Sequence, residues 1–288
     1  MTNRTIDGVE IPPFDDWAAQ HKSYVLSNLK QSLYQGRYMI IDCFDSDVTA
    51  FYTTRLAGNS KAPYDSFNLA LHVGDDENQV KLNREQLKAD FNLQQLCFMS
   101  QTHSNKVIIV DKSNCNEPCF DCDALVTATK GLALAVMTAD CLPLILCDED
   151  NEIVAVVHCG WRGLERGIIE NTLLSMESLG AQRQSIRSFL GPAIGPNSFE
   201  VGHEVYEAFL QKGEYYHDCF FKLPLTDEQG KSKYLCHIYR LAVNTLRHCK
   251  VDGPIFGGRA DTFAQSAVFY SYRKEKVTGR LASVICLN

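Results

Sequence analysis

The sequence predicts an α+β fold, a mixed sheet or sandwich with helices on its outside. Three observations lead there. Short β-rich segments recur from Val48 onward, helix-patterned segments fall between groups of them, and no linker, repeat or low-complexity tract divides the chain. A length of 288 residues suits one large domain. Such a chain buries roughly three quarters of its unfolded surface, so it needs no covalent staple.

The elements follow in order. Residues 1–45 differ in texture and are read as an N-terminal helical extension ahead of a body spanning 46–288. After Pro12-Pro13, the residues Trp17, Val25, Leu29 and Leu33 recur at helical spacing, and Gly36 stops the pattern. Strands are expected at Val48–Thr53, Lys106–Val110, Leu125–Thr129, Leu132–Met137, Leu144–Cys147 and Ile153–Val157. The polar run from Asp148 to Asn151 between the last two is a turn signal, which makes them a hairpin. Helices are expected at Gln79–Phe91, Leu164–Leu179, Glu204–Leu210 and Ile238–Cys249, and strands again at Ala267–Tyr272 and Arg280–Leu287.

Composition narrows the function. With 45% hydrophobic and 22% charged residues the chain is ordinarily globular. A formal charge of −7 without a long Lys/Arg run argues against a nucleic-acid groove, while leaving room for a local basic pocket. No apolar stretch reaches the ~18–20 residues of a membrane span, and Met1–Glu10 lacks the apolar core of a secretory signal. Twelve cysteines scattered through strand-like and helix-like segments read as reduced thiols, hence a cytoplasmic protein.

The chemistry concentrates at strand ends. Asp140-Cys-Leu-Pro143 and His158-Cys-Gly-Trp-Arg-Gly163 are polar clusters flanking the expected hairpin. Cys141 and His158 are 17 residues apart across it, so both can meet at one rim. His103, just before the strand at Lys106–Val110, is a third candidate. Two His and one Cys suit an open zinc site, because three protein ligands leave a position for water whose pKa zinc lowers to about 7. The same residues also fit a buried small thiol and two hydrogen-bonded histidines. The glycines around Trp161-Arg162 favour the first reading, since they permit close backbone approach beside a guanidinium fork.

Longer motifs now bear on the question. Tyr64-Asp-Ser-Phe-Asn-Leu69, His72-Val-Gly-Asp75, Gln101-Thr-His103, Met137-Thr-Ala-Asp-Cys-Leu-Pro143, His158-Cys-Gly-Trp-Arg-Gly163, Leu190-Gly-Pro-Ala-Ile-Gly-Pro196, Phe199-Glu-Val-Gly202 and Phe269-Tyr-Ser-Tyr-Arg273 resemble the YfiH family. That family also carries the labels laccase-domain and multicopper polyphenol oxidase. The resemblance runs from about Val48 to Leu287. It implies a helix-flanked β-sandwich layered α/β/β/α, and zinc held by His103, Cys141 and His158. It also implies phosphorolysis of adenosine, inosine and methylthioadenosine, with adenosine deamination as a further activity. The expected partners are therefore small purine nucleosides and phosphate, with no nucleic acid and no membrane. Departures are Ala57 and Ser104 where Gly is usual, Cys159 where Ala is usual, and Asp261-Thr262 where Cys-Thr is common.

For substrate contacts the choices are Arg55, Asn68 and Arg162. Arginine forks bind phosphate bidentately and asparagine pairs with ribose hydroxyls, although each could instead make a structural ion pair or turn bond. His72 could line the pocket, and Asp140 could serve as acid/base. Cys115, Cys119 and Cys122 have a spacing seen in iron–sulfur proteins, but they sit in a turn-rich segment and are read as a surface thiol cluster. Multicopper oxidases hold copper largely through His-x-His pairs, and this chain has eight His and no such pair. One N/N/S site could still take up copper adventitiously. Three other classes stay open, a metal-free hydrolase with Cys141 as nucleophile and His158 as base, a copper-dependent polyphenol oxidase, and a non-catalytic binding module.

Overall fold

The computed structural model describes residues 33–288 and two short N-terminal strands at 4–6 and 9–11. The strands begin with β1 (Arg4–Ile6), β2 (Val9–Ile11), β3 (Leu33–Tyr34), β4 (Tyr38–Ile40), β5 (Val48–Thr53), β6 (Gln95–Cys97), β7 (Val107–Ile109) and β8 (Ala124–Thr127). They continue with β9 (Leu132–Thr138), β10 (Leu142–Asp148), β11 (Ile153–Cys159), β12 (Arg187–Leu190), β13 (Glu200–Val201), β14 (Phe220–Thr226), β15 (Ser232–Cys236), β16 (Ile255–Gly257) and β17 (Leu281–Leu287). The helices are α1 (Glu77–Asp90), α2 (Trp161–Glu165), α3 (Ile168–Ser178), α4 (His203–Lys212), α5 (Ile238–His248) and α6 (Tyr272–Glu275).

Two six-stranded mixed sheets carry the body, in the orders β16-β12-β10-β11-β8-β7 and β3-β4-β5-β17-β9-β6. They face each other across one apolar layer, with Tyr52, Leu134, Val136 and Ile285 of the second sheet meeting Leu125, Ile145, Val154 and Phe189 of the first. The outer face of the first sheet, including Leu144, Leu146, Ala155 and Val157, packs on Ile169 and Leu173 of α3 and on Leu241 and Leu246 of α5. The outer face of the second, including Phe51, Ala133, Ala135 and Val284, packs on Leu87 of α1 and on Phe67. The layering is α/β/β/α in a single domain, as the resemblance implied. β9, β10 and β11 are buried at every position, which is why they read as continuous apolar runs rather than alternating ones.

Four expectations change. Leu164–Leu179 is two helices, because Gly167 takes φ 88° and breaks the turn between α2 and α3. Ala267–Tyr272 is no strand. Val268 and Phe269 both donate to the Gln265 carbonyl, and Ser271 caps α6 by accepting from the Lys274 amide. Gly36 ends no helix but turns the β3–β4 hairpin, where Gln35 and Gly36 both have positive φ. The second sheet thus takes in part of the stretch read as an extension, while the helix expected over residues 17–32 lies outside the described residues. The small sheet β13-β15-β14 was not anticipated. Among the described residues, no helix is long and apolar enough to cross a membrane. All twelve cysteines are unpaired thiols, most of them buried.

Tyr38 on β4 shows how firmly that edge is built in. It is fully buried, edge-on to Phe51, Phe67 and Phe91, and its hydroxyl donates to Asp90 Oδ2 at 2.7 Å. Tyr38→Ala should cost about 3–5 kcal/mol, the range for truncating a packed core aromatic, and Tyr38→Phe about 1 kcal/mol for the lost hydrogen bond. Urea unfolding of the two variants checks both values.

Candidate metal centre

The expected hairpin exists and sets the site. β10 and β11 pair antiparallel with Leu142 opposite Cys159 and Pro143 opposite His158. Cys141 immediately precedes β10, so pairing alone brings it beside His158 at one end of the sheet. Strand alternation turns Val157 and Cys159 into the helix-side core and His158 to the other face. His103 comes from the loop between β6 and β7 with φ 60°, a backbone conformation uncommon outside glycine.

The three side chains converge. Cys141 Sγ lies 3.7 Å from His103 Nε2, and the two imidazole rings stand edge-to-face with centroids 4.8 Å apart. One ligand atom from each of the three residues lies within 4.8 Å of the others, and this is the only such His/Cys/Asp/Glu group among the described residues. Gly160 closes the cradle. A Cβ there would stand 2.7 Å from His103 Cδ2 and 3.3 Å from Cys141 Sγ, so the bare backbone makes room for the donors. A thiolate sulfur and two imidazole nitrogens with one side open fit zinc, and also fit copper.

Asp123 holds this arrangement and was not anticipated. It is fully buried and accepts from His158 Nδ1 at 2.8 Å, from the Ser104 amide and hydroxyl at 2.7 Å each, and from the His103 amide at 3.0 Å. The bond to Nδ1 leaves His158 Nε2 for the cluster, the pattern in which an outer carboxylate orients a ligating histidine. Ser104 adds a hydroxyl donor to that carboxylate. Burial alone would raise the Asp123 carboxyl, but the bonds from His158 and Ser104 hold it well below the usual range. Burial would also raise the Cys141 thiol, yet the charge of His158 and a hydrogen bond from His103 draw it down to about 6. His158 moves the other way, up to about 9, because the Cys141 sulfur and Asp123 outweigh its burial. Both shifts run in the direction that favours a thiolate beside an imidazolium when no metal is bound.

The donors open on a cavity of about 470 Å³, within the ~300–1,000 Å³ typical of small-molecule sites. Its wall includes His72, Met137, Thr138, Arg162, Tyr272 and Arg280. Arg162 is therefore on the wall, its guanidinium 4.3 Å over the Trp161 ring. Arg55 and Asn68 are not. Arg55 spends its donors on the Asp65 and Ser266 carbonyls and on Glu275, and fully buried Asn68 bonds Ala70, Asp75 and the Arg280 amide. Asp140 is also committed elsewhere, one oxygen accepting from Thr262 Oγ1 and the other from the Arg273 amide, both at 2.6 Å. It is not available as the acid/base considered above. Arg280, not singled out in the sequence, lines the wall instead. Of the Cys115/Cys119/Cys122 loop, Cys119 is exposed while Cys122 is fully buried beside the Phe120 carbonyl.

Two outcomes test this construction. Asp123→Asn should weaken zinc affinity about 10–100-fold, read by competition with a chromogenic chelator on folded protein. In metal-free protein, alkylation of Cys141 should rise with pH to a plateau with its half-point near about 6, because only the thiolate reacts. Cys159, whose thiol burial pushes far up, should stay unmodified, as peptide mass spectrometry would show.

Comparison with known proteins places the chain. The family model described as multi-copper polyphenol oxidoreductase laccase matches residues 49–288. A purine nucleoside phosphorylase of Haemophilus influenzae is 41% identical over 240 residues, covering 83% of this chain and 94% of the relative. The purine nucleoside phosphorylase YfiH of Escherichia coli is 40% identical over 243 residues, with 83% and 94% covered. Among solved structures, YfiH of Bacillus licheniformis superposes with a TM-score of 0.81 at 27% identity, covering 89% of this chain and 98% of that one. A Neisseria meningitidis protein superposes with a TM-score of 0.78 at 35% identity, covering 87% and 99%. By the length and identity of these matches, the chain belongs to the YfiH, or laccase-domain, family.

Proposed function

We propose that this protein is a zinc-dependent purine nucleoside phosphorylase acting on adenosine, inosine and methylthioadenosine, with adenosine deamination as a second activity. The observation that carries the reading is the convergence of His103, Cys141 and His158 on a nucleoside-sized cavity that also presents Arg162 and Arg280. The names of the relatives support the reaction class. Zinc held by those three residues would supply Lewis acidity and lower the pKa of water.

The chain's own groups account for binding and orientation. The two arginines offer forked donors for phosphate, whose oxygen attacks the ribose anomeric carbon while the bond to the purine breaks. Burial, with help from Arg280 and Arg84, lowers His72, so this cavity-wall imidazole is neutral at pH 7 and can accept from a sugar hydroxyl. Tyr272 presents a half-exposed ring at the mouth, a flat surface for a base. Gln101 is held in place by Met137, its NH2 donating to the Met137 carbonyl and its Oε1 accepting from the Met137 amide.

A second reading is favoured by the lowered Cys141 thiol, which with His158 would suit a metal-free nucleophile. One experiment separates them. Wild type supplied with inosine and phosphate should release hypoxanthine and ribose 1-phosphate, lose activity in chelator and regain it with zinc. Cys141→Ser should purify metal-poor and fall by orders of magnitude in turnover. Full activity in chelator with no stoichiometric metal would overturn the zinc reading in favour of the thiol.

A further inference from the structure

A second cavity lies at one end of the sandwich, between the two sheets, and shares no wall residue with the one described above. Its volume is about 170 Å³. Tyr52 of β5, Phe189 of β12 and Phe269 form aromatic walls, with the Tyr52 ring near-parallel to Phe189 at 6.1 Å and tilted to Phe269 at 6.3 Å. Bare backbone forms another side, because Gly257 and Gly258 take φ 80° and 72°, and a Cβ on Gly257 would meet the Leu190 carbonyl oxygen at 2.2 Å.

Three polar groups on this wall are unspent. Tyr52 is 4% exposed, yet its hydroxyl has no hydrogen bond among the described residues. Its oxygen is accessible rather than sealed in, so the hydroxyl can donate into the cavity. Burial pushes Tyr52 up to about 12, which keeps the proton on and makes the group a donor at neutral pH. Arg259 stands exposed on the same wall with no ion pair or hydrogen bond among the described residues. Gln265 accepts from the Asp261 amide through Oε1, leaving its NH2 unused. No Asp or Glu lines the cavity. All three free groups donate, and the walls are aromatic.

We propose that this slot binds a small aryl carboxylate, its ring among Tyr52, Phe189 and Phe269 and its carboxylate toward Arg259 and the neighbouring donors. Size supports one substituted ring and excludes a nucleoside, since an apolar cavity of ~150 Å³ takes a benzene. The planar guanidinium fork matches a carboxylate bidentately, and the phenol adds a charge-assisted bond.

Benzoate is the probe, titrated into the full-length, zinc-loaded protein by calorimetry, with 4-fluorobenzoate followed by fluorine NMR. Saturable one-to-one binding is expected, with benzyl alcohol at least about tenfold weaker because it lacks the charge. Arg259→Gln, at an exposed position, and Tyr52→Phe, which keeps the ring in the inter-sheet layer, should each weaken benzoate about tenfold, while Arg280→Gln should not change it. Three results would overturn the proposal. They are no saturable binding to folded wild type, equal binding of benzyl alcohol, or binding lost in Arg280→Gln but kept in Arg259→Gln. The last would put benzoate in the metal-side cavity instead.

Discussion

The structure depends most on the buried carboxylate of Asp123. A charge removed from water is costly unless every lone pair finds a donor, and here the donors are the site itself: His158, Ser104 and the His103 amide. The loop carrying His103 has no strand partner to shape it at that point and holds a left-handed backbone. Its amides instead turn around one anion. The same anion fixes which nitrogen of His158 faces the cavity. One buried charge therefore organises two of the three donors, and its burial is tolerated only because the ring of donors around it is complete.

Two aspartates near the site show how position decides role. Asp140 adjoins Cys141 in sequence, yet its carboxylate is pinned by Thr262 and Arg273, and its carbonyl accepts from Ile194. It ties the strand end to Thr262, Ile194 and the first turn of α6, and it is not part of the cavity wall. Asp123 is 18 residues from Cys141 in sequence and supports it through His158. Nearness along the chain says little about nearness to the chemistry.

The same limit explains what could be read in advance. The hairpin and the buried strands β9 to β11 were legible because long apolar runs bounded by turn residues have few other uses. Cys141 and His158 were legible as a pair because a hairpin of known length fixes which ends meet, whereas His103 lies on a separate loop. Asp123 was not, because its place beside His158 comes from β8 pairing with β11, with Ala124 opposite Val157, and sheet order has no local signature. Short strands such as β4, β6 and β16 carry three residues each, too few for a period to show. The place of Arg55 off the cavity wall was not legible, because a guanidinium's partners are set by the tertiary fold, which here offers it two carbonyls and Glu275.

His158 and Cys159 are neighbours on β11, one facing the donors and the other packed fully buried against the helices. A strand mispaired by one position would exchange them. The imidazole would then be driven into hydrocarbon without Asp123, and a thiol too short to reach its partners would stand in the cradle. The two faces of the strand thus proofread each other during assembly. A chain that has found the right packing of β11 has also turned His158 to the donors, and an error in that register is penalised on both faces.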